Sequence, residues 1–409
     1  MQSDTLSTAL GKRISWKKCE NRVLIQFEKG EGTIEILRND IINVFVPYET
    51  KEHCSKAIEG KKTVPAEYTV TEEGDALAIS TDALTAKVYD NLLIDFYKAD
   101  GTLLCADYRG KRIVGDAIDE EYLEMLRAEG HDVSDMSSRD HRIQVVKAMD
   151  GDEKFYGLGD KTGFLNKRDY EYENWNSDIP QAHNEDYRAL YKSIPFLITL
   201  KKQGVFGMFF DNTYKSYVNL GKENQNYYFY GVENGNLDYY FIVGDKMTDV
   251  VSGYTYLTGT TPMPQRWTLG YHQSRWGYEN ADDIRDVAEH YRNLQIPCDT
   301  IHFDIDYMDG YRVFTWNEEA FGAPGEIIKE IGKSGYHAVT IIDPGVKLDE
   351  GYYMYDEGIA GGYFAKDKDG QVYVNEVWPG EAVYPDYGNP KTREWWAEKQ
   401  KYLTDLGVS

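Results

Sequence analysis

The chain has 409 residues, 41% of them hydrophobic and 14% aromatic, which is ample material for a core and for two or more folded domains. Its formal net charge of −24 sets up a field that repels polyanions, arguing against nucleic acid and anionic membrane as partners and leaving a neutral ligand unpenalised. Residues 1–18 are polar, no eighteen apolar residues run together, and the four cysteines (Cys19, Cys54, Cys105, Cys298) lie far apart without C-x-x-C spacing. That pattern shows no signal peptide, spanning helix, disulfide framework or zinc site, and it predicts cytoplasmic residence.

Residues 1 to about 260 read as strands. Val23, Ile25 and Phe27 fall on one face at period two, as do Ile34 and Ile36 ahead of the Asn39–Asp40 turn signal, and Ile41–Val46 and Leu92–Tyr97 follow. The pattern recurs in Phe196–Leu200, Val205–Phe210, Ser216–Leu220, Tyr227–Tyr230 and Leu237–Ile242. Short strands separated by Gly, Asn and Asp turns predict a large β-sandwich. The polar segment Asp119–Arg142 interrupts it, with Tyr122, Met125 and Leu126 spaced for a short helix.

The period changes after Pro262 and Pro264. Trp267–His272 is an apolar run fit for a buried strand, and Ile284, Val287, Ala288, Tyr291 and Leu294 share a helical face behind an Asn280 N-cap, with Asp283 at N3 and Pro297 as the stop. Thr300–Asp306 then reads as a strand, Pro324–Gly335 as a helix and His337–Asp343 as a third strand. Asn389–Pro390 opens a last helix with Trp395, Tyr402, Leu403 and Leu406 inward and Gly407 just past its end. Strands alternating with helices specify parallel βαβ units, so residues 263–409 are expected to form about three units of a (β/α) barrel, with Val408 and Ser409 at or just before a fourth strand.

The chemistry concentrates in HFDIDYMDG at 302–310. On a strand Asp304 and Asp306 would point to the same side, at the C-terminal end where barrel sites form. Two readings stay open: the carboxylates accept hydrogen bonds from ligand hydroxyls, or they cap the next helix or pair with a local Arg such as Arg312. A metal site from Asp304, Asp306 and Asp309 would lack a His or Glu to complete its shell. Asp343, in Ile341–Gly345, also ends an apolar strand, with ligand contact or a backbone-bonding role as alternatives. Trp378 sits before a Pro–Gly turn and Trp276 follows the first barrel strand; both suit the apolar faces of a sugar, although with 34 tyrosines and 8 tryptophans any one aromatic can be simple packing. Asp178, in Asn174–Asp178, lies in a polar loop that could reach over the barrel mouth, although by composition alone it is an ordinary turn. No P-loop, dinucleotide fingerprint, Ser/His/Asp order or metal-spaced His pair is present.

From about residue 150 onward, the succession YGLGDKTG (156–163), NWNSD (174–178), LYKSIPF (190–196), FGMFFDN (206–212), MPQRWTLGYHQSRWGY (263–278), HFDIDYMDGYRVFTWN (302–317), IIDPGVK (341–347) and VWPGEAVYPDYGNP (377–390) resembles glycoside hydrolase family 31, most closely its α-glucosidases. The resemblance implies a galactose-mutarotase-like β-sandwich (1–262) followed by the first part of a (β/α)₈ TIM barrel (263–409), acting on an oligosaccharide with no cofactor or metal. It implies retaining hydrolysis of α-glycosides by two carboxyl groups about 5–5.5 Å apart, one attacking the anomeric carbon and the other protonating the leaving oxygen. By resemblance, Asp304 binds hydroxyls of the non-reducing glucose, Ile305, Ile342, Trp378 and Trp276 line its pocket, and Asp178 matches the loop Asp that the sandwich sends toward substrate. Asp343 and Asp306 match strand-end positions of less defined role.

The family's nucleophile lies on the fourth barrel strand in a WxDMNE-type motif and its acid/base further on, so both are expected beyond Ser409, and no residue of the chain is assigned a catalytic role. The expectation is therefore an N-terminal portion of an α-glucosidase releasing glucose from non-reducing ends. An α-xylosidase is the nearest rival, against which the QSRWGY stretch favours glucose. A non-catalytic carbohydrate-binding protein is the reading if the chain truly ends at Ser409. Linkage preference and oligomeric state are not legible.

Overall fold

The computed structural model describes residues 10–50, 55–58, 66–110, 125, 128 and 143–409. It divides into two compact units, Met1–Thr261 and Pro262–Ser409. In the first, an eight-stranded antiparallel sheet runs in the order Arg13–Cys19, Arg22–Phe27, Gly30–Arg38, Ile41–Val46, Leu237–Gly244, Gly204–Phe210, Ser193–Lys201, Lys154–Gly159. A five-stranded sheet (Thr69–Cys105) and a four-stranded sheet (Ile143–Ala148, Tyr227–Val232, Ser216–Asn219, Glu171–Asn174) pack on it. Ring stacking marks where the layers meet: Phe96 lies on Phe241 with centroids 3.8 Å apart, and Phe210 on Tyr230 at 3.9 Å. The unit is thus the expected β-sandwich.

Where only one face of a strand is covered, alternation survives, as in Arg22–Phe27, whose Val23, Ile25 and Phe27 are buried between exposed neighbours. Ile41–Val46 is buried at every position because a second layer covers the far face of the large sheet. That layer includes a helix, Met247–Thr258, which packs Val250 and Leu257 against Ile242, Val205 and Phe196. Close approach needs glycine at the contact: a Cβ on Gly253 would stand 2.5 Å from Ile242 Cγ2, and one on Gly207 would stand 2.5 Å from Val250 Cγ1. The sequence reading missed this helix, since its Val, Thr and Tyr content favours strand; Asp249 accepts from the backbone N–H groups of Asp245 and Lys246 and starts it. Leu92 also departs from expectation. It closes a 3₁₀ turn, Asp90–Leu92, and the strand begins at Ile94. The helix expected within Asp119–Arg142 lies outside the described residues apart from Met125 and Ala128, which are helical.

An ion pair lies at the centre of the sandwich. Lys147, 1% exposed, sets its Nζ 2.8 Å from Asp107 Oδ1 and about equally far from the Phe96 and Tyr239 rings, at 5.3 and 5.5 Å. Burial alone would push the ammonium down, but the Asp107 carboxylate overrides it and holds Lys147 above its ordinary value. Asp107 Oδ2 also accepts the Ile94 N–H at 2.5 Å, so the pair ties two strands.

The second unit carries a three-stranded parallel sheet, His272–Gln273, Thr300–Phe303 and His337–Thr340. Helix Ala281–Asn293 starts where expected, Asn280 Oδ1 accepting from Asp282 and Asp283 N–H. Glu326–Lys333 and Pro390–Leu406 follow, and Ile284, Ile301, Phe303, Ile327, Ile331, Trp395 and Leu403 form the core. Gly407, at φ 101°, ends the last helix, and Ser409 N–H donates to Ala338 O at 2.9 Å.

All three barrel strands are shorter than the sequence suggested. Trp267–Leu269 belongs to a 3₁₀ turn, because Thr268 bonds Gln265 O with both its N–H and its hydroxyl, and Leu269 is 75% exposed. Thr300–Phe303 stops before Asp304, His337–Thr340 stops before Ile341, and Leu294 faces solvent beyond its helix.

Truncating Asp107 to Ala leaves a buried ammonium unpaired, which should lower the urea-unfolding free energy of the sandwich by about 3–5 kcal/mol, while a Lys147→Met/Asp107→Leu double variant regains most of it. A loss below about 1 kcal/mol for the single variant would mean the pair is not a central restraint.

Candidate functional site

The ends of the second and third parallel strands leave two loops side by side. Phe303 O accepts the Ile341 N–H at 3.0 Å, the last contact before the strands part, and the Tyr307 hydroxyl donates to Ile341 O at 2.8 Å. Asp304 caps the 3₁₀ turn Ile305–Tyr307, its Oδ1 accepting the Ile305 N–H at 2.7 Å. Asp306 therefore lies inside a turn, and the two-residue alternation expected to aim it alongside Asp304 does not apply. Capping uses one acceptor site of the Asp304 carboxylate, which can accept about four.

Asp343 and Trp378 meet directly. Trp378 occupies the two-residue connection between strands Val374–Val377 and Gly380–Val383, is 50% exposed, and donates its Nε1–H to Asp343 Oδ2 at 3.0 Å. Tyr311 packs edge-on against the indole, with centroids 5.0 Å apart, and its hydroxyl stands 3.5 Å from Asp306 Oδ1. Trp276 is 76% exposed, and the residue after it lies against Asp306: a Cβ on Gly277 would be 2.9 Å from Asp306 Oδ2. Ile305 and Ile342 are half-buried against the core of this unit. Carboxylates at 304, 306 and 343 thus share one strand-end region with exposed indole and phenol faces. Asp178, in the first unit, is exposed beside the Tyr191 hydroxyl, which donates to Ile179 O at 2.7 Å.

Burial first, then the Asp304 and Glu279 charges, push the Asp306 carboxyl above its ordinary value, opposed by the Tyr311 hydroxyl. The suggested pairing of Arg312 with Asp304 or Asp306 is not what forms. Arg312 directs Nε and a terminal nitrogen to Asp349 Oδ2 at 2.9 and 2.5 Å. This clamp follows Gly310 (φ 53°) and Tyr311 (φ 62°), a left-handed pair whose Gly310 O also accepts from Lys347 Nζ at 3.0 Å. A tyrosine in that conformation is held at a cost of about 1–3 kcal/mol, and the clamp fixes its ring beside Trp378. Sequence reasoning missed Tyr311 and Asp349, and a tyrosine among 34 carries no signal of its own. Among the described residues, no group of three or more His, Cys, Asp or Glu could hold a metal ion. No helix of the described residues is long and apolar enough to cross a membrane.

Comparison with known proteins supplies the context. Residues 31–219 match the glycosyl hydrolase 31 N-terminal galactose mutarotase-like domain, and residues 261–409 match the glycosyl hydrolases family 31 TIM-barrel domain. The chain is 44% identical to alpha-glucosidase 2 of Bacillus thermoamyloliquefaciens over 409 residues, covering 98% of this chain and 48% of that protein. It is 32% identical to an alpha-glucosidase of Saccharolobus solfataricus, over 63% of this chain and 37% of that one. Among solved structures, a family 31 dextranase of Flavobacterium johnsoniae complexed with isomaltotriose superposes with a TM-score of 0.84 at 27% identity, over 98% of this chain and 47% of that chain. The chain thus spans less than half the length of these relatives. With both domain models matched in order, the chain belongs to glycoside hydrolase family 31, as a mutarotase-like β-sandwich followed by part of the TIM barrel.

Proposed function

We propose that the chain supplies the glucose-recognition half of a retaining α-glucosidase that releases glucose from the non-reducing ends of α-gluco-oligosaccharides. The observation that carries this reading is the Trp378–Asp343 contact, which fixes an exposed indole next to the carboxylate-bearing strand ends. A hexose offers an apolar C–H face to an indole and hydroxyl donors to carboxylates, and these loops hold both kinds of partner. Similarity to α-glucosidases and to a dextranase complexed with isomaltotriose supports α-linked glucose over other sugars.

In this reading Asp304 accepts from glucose hydroxyls through the carboxylate sites its cap leaves open. Ile305 and Ile342 give the pocket an apolar floor, Trp276 and Trp378 flank the ring, and Asp343 orients Trp378, while Asp178, in the first unit, is a substrate-contact candidate by family resemblance alone. Domain limits at 1–262 and 263–409 follow the same division of labour. The nucleophile and the acid/base are assigned to the whole protein and to none of these residues. The free thiols of Cys19, Cys105 and Cys298 suit a reducing compartment, in keeping with a cytoplasmic setting.

Two outcomes follow. A charge-assisted hydrogen bond is worth about 1.5–3 kcal/mol, so Asp304→Ala in the whole protein should cut kcat/KM on maltose roughly 10- to 150-fold, with α-glucose the first product seen by proton NMR in the parent. Near-normal kinetics in that variant would sink the assignment. The second outcome concerns Asp306. Its raised folded-state value means that its contribution to stability is fully present below the ordinary carboxylate range and is lost as pH rises through the folded value. Asp306→Asn should therefore gain thermal midpoint over the parent between about pH 4 and pH 7, and a gap that stays constant across that range would contradict the burial argument.

A further inference from the structure

No sugar-binding task falls to Tyr311 in the function proposed above, yet its conformation asks for one. Its φ of 62° lies in the left-handed region, which strains a residue bearing a Cβ and which glycine takes freely. Polar contacts on either side hold it there: Arg312 directs two nitrogens to Asp349 Oδ2 at 2.9 and 2.5 Å, Arg312 N–H donates to Asp309 O at 3.1 Å, and Lys347 Nζ donates to Gly310 O at 3.0 Å. The ring gains little burial in return, being 40% exposed. Strain that is maintained by its surroundings and not offset by packing points to a role outside stability.

The chemistry of the neighbouring groups indicates what that role is. When ionised, the carboxylates of Asp304, Asp306 and Asp343 only accept hydrogen bonds. The Trp378 Nε1–H is already spent on Asp343 Oδ2 at 3.0 Å, and the Ile305 N–H on Asp304 Oδ1 at 2.7 Å. A sugar's ring and glycosidic oxygens also only accept, so they need a donor from the protein. The Tyr311 hydroxyl stands 3.5 Å from Asp306 Oδ1, beyond the roughly 2.5–3.0 Å of an O–H···O bond, and its proton therefore stays available. The phenol ring meets the Trp378 indole at 85° with centroids 5.0 Å apart, so the two exposed aromatic faces form a corner beside that proton.

We propose that Tyr311 is a substrate-binding residue of the strand-end pocket, which sets its phenol ring against a glycosyl unit at right angles to Trp378 and donates its hydroxyl to an acceptor oxygen of a neutral α-gluco-oligosaccharide. Arg312 and Asp349 are then positioning residues that act through it. The choice of sugar rests on the function proposed above. Asp306 serves as the resting partner of the hydroxyl, and binding exchanges that long contact for a short one.

The test is steady-state kinetics of the whole protein on maltose, with a melting curve for each variant. Tyr311→Gly should keep or raise the parent's thermal midpoint, because glycine takes this backbone without strain, while KM rises about tenfold and kcat changes little. Tyr311→Phe keeps the ring and the strained backbone and loses only the hydroxyl, so KM should rise severalfold. Arg312→Gln should also raise KM severalfold in the parent and leave it unchanged in the Tyr311→Gly background, since the clamp acts through the ring alone. An unchanged KM in both Tyr311→Gly and Tyr311→Phe, or a Tyr311→Gly protein that melts several degrees below the parent, would overturn the assignment. An Arg312→Gln effect of equal size in both backgrounds would overturn the positioning role. Asp304→Ala measured alongside separates the two readings: near-normal kinetics there with a raised KM in Tyr311→Gly removes Asp304 and leaves Tyr311 in place, whereas a loss at Asp304 with normal KM in both Tyr311 variants overturns the Tyr311 assignment alone.

Discussion

Parallel pairing of Thr300–Phe303 with His337–Thr340 is the constraint on which the strand-end region depends. Parallel strands deliver their C-terminal ends to the same edge, so whatever follows Phe303 and Thr340 must emerge side by side. The exits at Asp304 and Ile341, far apart in sequence, become neighbours for that reason. The Tyr307 hydroxyl bond to Ile341 O then joins the two exits beyond the last ladder contact. Helices Ala281–Asn293 and Glu326–Lys333 keep the sheet in place by burying Ile284, Ile327 and Ile331 against Ile301, Phe303 and Ala338. Buried area here serves placement as much as stability.

Beyond the strands, local polar contacts decide the shape. Asp304 spends one lone pair on its own turn, and the turn re-aims Asp306 toward the Tyr311 hydroxyl. The left-handed Gly310–Tyr311 step, clamped by Arg312 on Asp349 and by Lys347 on Gly310 O, brings a phenol ring to Trp378. Trp378 in turn fixes Asp343. Each of these side chains is oriented by another element of the same unit, which is how a rim of loops acquires the rigidity that recognition needs.

Legibility in the sequence followed burial geometry. Val23, Ile25 and Phe27 declared their strand because one face alone is covered, and Asn280 declared its helix because a cap acts within three residues. Met247–Thr258 stayed hidden because the sheet it covers, not its own propensity, makes it helical. The strands ending at Phe303 and Thr340 looked longer than they are, since a carboxylate that caps a turn and one that ends a strand are the same letter. Asp304, Asp343, Trp276 and Trp378 could be selected from motif context, whereas Tyr311 and the Arg312–Asp349 clamp depend on a fold that joins residues 37 apart. Family membership was carried by the order of many motifs, and both domain models now bear it out.

The central claim is that Trp378, held by Asp343, forms a wall of a glucose pocket closed by Asp304. Its most direct test is the Trp378 indole N–H resonance in ¹⁵N-labelled protein, assigned through its loss in Trp378→Phe, followed during titration with maltose. The account predicts a saturable shift of that resonance, absent when Asp304 is changed to Ala. A Trp378 resonance that stays fixed while maltose is bound elsewhere on the protein would contradict it.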